Sequence, residues 1–122
     1  MSAARRSIWI LLVDGDSTVQ QLRALMLRMQ GYRVDVASGL DDARSKMAER
    51  KYKLIIVDVG HFADPGLEFC EEIKSRDPHQ KMLIHAEDRV FPVKSECPDE
   101  VVPKQEGPIS FVKAVERLLQ VA

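Results

Sequence analysis

Leu54-Ile55-Ile56-Val57-Asp58 is a run of four apolar residues closed by an acid. An apolar stretch this short, rich in β-branched residues and without polar alternation, reads as a strand buried on both faces, as in parallel sheets. Outward from it, runs rich in Val, Ile and Leu recur at Ile8 to Val13, Val34 to Ala37, Met82 to Ile84 and Val101 to Val102. The segments between them carry helical spacing. Val19, Leu22, Leu25, Met26 and Met29 form one stripe, opened by Ser17 and Gln20 as a capping box. Ser38 with Asp41 is a second box ahead of Leu40, Ala43 and Met47. Leu67, Cys70 and Ile73 mark a weaker third helix, and Phe111, Val112, Val115, Leu118 and Leu119 a well-defined last one. Strand and helix alternate five times, so the expected class is α/β, a five-stranded parallel sheet with helices on both faces. The exception lies between Met82-Leu83-Ile84 and Val101-Val102, where Pro92 and Pro98 interrupt any long helix and a loop or single turn is expected.

Composition limits what such a domain does. The 122 residues, 45% of them apolar, make one domain with room for a self-sufficient core. Eighteen Lys and Arg against nineteen Asp and Glu give a net charge of −1, which argues against a nucleic-acid or anionic-membrane surface. The longest unbroken apolar run, Ile8 to Val13, has six residues, whereas a membrane-spanning helix needs about 20 and a signal peptide's apolar region about 7–15. Cys70 and Cys97 show neither framework nor metal-ligand spacing, so free thiols in a reducing cytoplasm are expected. No pair of histidines has zinc-ligand spacing, and no glycine-rich loop cradles a nucleotide phosphate. Gly31-Tyr32 reads as a helix stop and a turn into the second strand.

In an open parallel sheet, ligands gather beyond the carboxyl ends of the strands. The first run ends in Asp14-Gly15-Asp16-Ser17-Thr18, the third in Asp58, the fourth in His85-Ala86 and the fifth near Pro103-Lys104. Carboxylates there suit Mg²⁺, which takes oxygen ligands in an octahedron. A carboxylate beside a cation can act as a nucleophile toward a phosphoryl group, and a lysine can hold an oxygen of the group once transferred. Asp14 and Asp16 could instead only cap the following helix. Asp58 precedes a loop, so capping is not available to it.

On these residues, ILLVDGDST, LIIVD with Gly66-Leu67-Glu68 eight residues on, His85-Ala86-Glu87 and VVPK, the chain from about Ile8 to Leu119 resembles the receiver (CheY-like) domain of two-component response regulators. The resemblance implies a doubly wound, flavodoxin-like sheet of strand order 2-1-3-4-5; the proline-interrupted stretch leaves its fourth helix short or missing. It implies that residues 1–122 are one receiver domain, with 1–7 expected as a disordered N-terminus. It implies Asp58 as phosphoacceptor and Lys104 as phosphate contact. For weakly bound Mg²⁺ it implies Asp14, Asp58 and the Gly60 backbone carbonyl, with Asp16 as a further ligand. The implied partner is a sensor histidine kinase or phosphotransfer protein, and the implied place is the cytoplasm. The implied role is that of a signalling acceptor rather than an enzyme.

The chain departs from the family at three positions. Gly15 stands where a second acid ligates the metal, His85 where a Thr or Ser bonds the phosphoryl group, and Val101 where an aromatic belongs. These favour a second reading, a pseudo-receiver that binds partners without phosphorylation. A third takes Asp14-x-Asp16-x-Thr18 as the nucleophile motif of haloacid dehalogenase-like phosphatases. His85 is read either as a pH-sensitive substitute for the hydroxyl or as a histidine partly packed at a strand end. His61 and His79 are expected in solvated loops.

Overall fold

The computed structural model describes residues 3–13, 17–59, 65–87 and 98–120. The elements run β1 (Trp9–Val13), α1 (Ser17–Met29), β2 (Arg33–Ala37), α2 (Leu40–Glu49), β3 (Leu54–Val59), α3 (Pro65–Arg76), β4 (Lys81–Ala86), β5 (Glu100–Pro103) and α4 (Gly107–Leu119). The five strands form one parallel sheet in the order β2-β1-β3-β4-β5, as the alternation and the resemblance predict. The stretch expected to hold a reduced fourth helix falls largely on residues 88–97, outside the described ones.

Strand periodicity divides the core into two layers. Leu54 and Ile56 pack with Ala24 and Leu27 of α1 and with Phe111, Ala114 and Val115 of α4. Ile55, Val57 and Val59 pack with Ala43 of α2 and with Phe69, Cys70 and Ile73 of α3. A slip of one residue in register would exchange the two sets, so burial on both faces fixes the pairing. The same parity carries Asp58 to the α1/α4 side of the sheet, level with His85 of β4, whose own partner on β5 is Val102.

The helix starts and faces differ from the sequence reading in three places. In α2 the residue ahead of the helix is Gly39 and makes no side-chain cap. Asp42, not Asp41, accepts a hydrogen bond from the Ser38 backbone N–H at 3.0 Å. In α1 the apolar stripe is not the buried face, for Leu22, Leu25 and Met29 are exposed, and Gln20, Ala24 and Leu27 face the sheet instead. Gln20 is accommodated there because its amide donates to the Ala37 carbonyl at 2.5 Å, satisfying a polar group that burial would otherwise penalise. Cys70 is disulfide-bonded rather than a free thiol; Cys97 lies outside the described residues. The turn after α1 follows the reading, with Gly31 at φ 102°, where an L side chain would be strained.

The start of the chain also corrects an expectation. Residues 3–7, taken as disordered, form a 3₁₀ turn. Arg5 secures it, donating to the Gln30 carbonyl at 3.1 Å, pairing with Glu116 at 2.9 Å and lying over the Tyr32 ring. Those partners are on the turn after α1 and on α4, so no local pattern announces them. A part-buried ion pair with a cation–π contact suggests that Arg5→Ala lowers unfolding free energy by about 1 kcal/mol. Urea denaturation measures it, and an unmoved midpoint would show that the turn adds nothing to stability.

Candidate functional site

All five strands run in one direction, so their carboxyl ends share an edge, and that edge collects Asp58, His85 and Lys104. Asp58 follows three residues that are essentially inaccessible, Ile55, Ile56 and Val57, which hold its backbone firmly while its carboxyl group reaches the rim. Lys104 arrives by a different device. Pro103 ends β5 in an extended conformation, and the chain then tightens into a 3₁₀ turn over Lys104–Glu106. That turn is tied back to β4, since the Gln105 amide donates to the Glu87 carbonyl at 2.6 Å.

The Asp58 carboxylate lies between two cations. Lys104 Nζ pairs with Oδ1 and reaches Glu87 Oε1 at 3.1 Å. Arg23, from α1, places Nη1 3.0 Å from Oδ2. The Asp58 and Arg23 side chains are only 16% and 13% exposed, so this contact is far less screened than an ordinary surface pair. Burial alone pulls the Lys104 ammonium down, but its bonds and charge interactions with Asp58 and Glu87 outweigh that and hold it above its usual value.

His85 sits beside Asp58 in the sheet but is turned into the core. It is 5% exposed and stacks on Phe111 with ring centroids 5.0 Å apart. Burial first, then the nearby positive charges of Arg23 and Lys104 against the opposing effect of Asp58, push its pKa down to about 4. The imidazole is therefore neutral at pH 7, and it titrates well below neutrality. Its Nδ1 is buried and has no hydrogen-bond partner among the described residues. Of the two readings of His85, the geometry matches the packed histidine. Val101, at the aromatic position, packs toward the α2/α3 layer, on the opposite side of the sheet from His85. His79 is exposed, as expected.

Asp14, Gly15, Asp16, Gly60 and His61 lie outside the described residues, and with them most of the expected Mg²⁺ ligands and the phosphatase motif. Among the described residues no group of three or more His, Cys, Asp and Glu side chains converges to hold a metal ion. The one described ligand candidate, Asp58, has each carboxylate oxygen engaged by a cationic side chain. Mg²⁺ needs oxygen at about 2.0–2.1 Å in near-ideal geometry, and residue 15 is a glycine with no side-chain oxygen to offer. Among the described residues, the arrangement around Asp58 does not fit a divalent cation.

Arg23 is the site residue that sequence reading missed. Taken with the apolar stripe of α1, it looks like a solvated residue on a surface helix. The signal that would have found it is the face Gln20, Ala24 and Leu27, next to which Arg23 falls at helical spacing.

Comparison with known proteins agrees with this fold. The family model described as the response regulator receiver domain matches residues 10–106. Among curated relatives, the transcriptional regulatory protein AfsQ1 of Streptomyces coelicolor is 29% identical over 114 residues, which is 88% of this chain and 51% of that protein. ResD of Bacillus subtilis is 29% identical over 77 residues, 63% of this chain and 32% of that protein. The chain thus spans about half or less of the length of these relatives. Among solved structures, the response regulator TrrA of Thermotoga maritima in complex with Mg²⁺-BeF superposes with a TM-score of 0.79 at 25% identity, covering 91% of this chain and 98% of that one. A complex of the histidine kinase ThkA with TrrA matches at the same TM-score, 0.79, and 25% identity, covering 92% and 98%.

Proposed function

The chain belongs to the response regulator receiver domain family, a signalling domain of two-component systems, and from that premise we propose that Asp58 is a phosphoacceptor. In this reading a carboxylate oxygen of Asp58 attacks the phosphorus of a phosphohistidine on a sensor kinase or phosphotransfer protein. An O–P bond forms while the P–N bond breaks, the bonding pair leaves with the imidazole nitrogen, and no oxidation state changes. Lys104 offsets the growing charge on the phosphoryl oxygens. The single observation that carries the reading is the placement of Asp58. It is a carboxylate one residue from the end of an otherwise buried strand, at the common strand-end rim, with Lys104 on one oxygen. The structure of TrrA with a histidine kinase supports the class of partner. The reading also places the domain in the cytoplasm, where ATP charges such kinases.

Exposure of the full chain to acetyl phosphate should add one phosphate by intact mass, and Asp58→Asn should abolish it. An adduct that survives Asp58→Asn, or none at saturating donor, would overturn the proposal.

The buried, neutral His85 under Phe111 favours a second reading for the output step. A side chain stacked in the core does not glide toward the phosphoryl group as a hydroxyl would, and Val101 supplies no aromatic to follow it. On this reading the domain is a pseudo-receiver whose partner binding persists in Asp58→Asn.

A further inference from the structure

Resting on the phosphoacceptor reading of Asp58, we infer that the Arg23 guanidinium takes the place of the divalent cation at this carboxylate, so that the site works without metal. Arg23 and Lys104 engage opposite oxygens, Oδ2 and Oδ1, of one largely buried carboxylate. An incoming phosphoryl group therefore meets positive charge on both flanks. A guanidinium is always charged and forms strong, directional bonds to carboxylate and phosphate oxygens. Arg23 is supplied by α1, whose buried face Gln20, Ala24 and Leu27 is locked to the sheet, so the cation is placed by the fold and needs no capture from solution.

The test follows acetyl phosphate labelling of the full chain in excess EDTA and in excess MgCl₂, with the melting temperature recorded in both. The wild type should label at rates equal within about twofold in the two buffers, and its melting temperature should not move. Arg23→Met should label about 10²-fold more slowly in EDTA, and MgCl₂ should restore part of that rate. It should also gain about 4 °C in MgCl₂, because a ligand that binds only the folded state raises stability. Arg23→Lys, which keeps the charge, should behave toward metal as the wild type does. A wild type that requires Mg²⁺ for labelling and is stabilised by it overturns the inference. A wild type that labels in neither buffer defeats the phosphoacceptor reading alone, and the melting data then decide. Stabilisation by MgCl₂ confined to Arg23→Met supports the substitution of guanidinium for metal, and the same response in both proteins, or in neither, overturns it.

Discussion

Phe111→Ala should lower the unfolding free energy by about 3–5 kcal/mol, a large part of the roughly 5–15 kcal/mol that holds a domain of this size together. Phe111 is 1% exposed and stands at the centre of the α1/α4 layer, among Ile10, Leu12, Ile56, Leu83 and Val115. Truncation loses the transfer free energy of the ring and leaves a cavity against two rigid surfaces, the sheet and α4, that cannot collapse to fill it. Phe111→Leu, which retains most of the volume, should lose only about 1–1.5 kcal/mol. Urea unfolding of both variants measures the difference. A loss below about 1 kcal/mol for the alanine variant would mean that the layer repacks freely and is not closely packed around the ring. The same substitution strips the stacking partner from His85. Its pKa should then climb from about 4 toward the ordinary 6.5, which a titration followed by NMR of the imidazole ring reads directly.

Acid should weaken the fold through His85 itself. The folded pKa is about 4 and the ordinary value 6.5, so between these the unfolded chain binds a proton that the folded one refuses. Stability that is fully present above about pH 6.5 is then lost progressively down to about pH 4, on the order of 3 kcal/mol in all. His85→Thr restores the hydroxyl residue of the receiver pattern and removes the titration. Its absolute stability should fall, because Thr fills less of the space above Phe111, but its stability should slope less steeply with pH across that window. Denaturant midpoints at a series of pH values give both curves. Parallel slopes for the two proteins would show that His85 is solvated and protonates freely in the folded state.

How much of this was legible beforehand depends on where each residue finds its partner. Ile55, Ile56 and Val57 announce a buried strand by composition alone, and Asp58 at its end is a chemical anomaly visible without a structure. The sheet follows because five such runs alternate with helical spacing. What stayed hidden are polar residues whose partners lie on other elements. Gln20 is buried because Ala37, on β2, accepts its amide hydrogen, and Arg23 is nearly buried because Asp58, on β3, balances its charge. Neither carries a local signal, so apolar spacing points instead to Leu22, Leu25 and Met29, which are exposed. Arg5 was misjudged for the same reason, since its partners Gln30 and Glu116 lie 25 and 111 positions away.

The contact between Arg23 and Asp58 also sets the direction in which a change at the rim is transmitted. On the phosphoacceptor reading, a dianionic group on Asp58 alters the force on a guanidinium fastened to α1, so a helix on the face of the sheet that carries Phe111 feels it directly. Strand β4 offers no comparable lever, because its rim residue is pinned by stacking. On that reading, a conformational change in this domain would be biased through α1, by way of a single arginine.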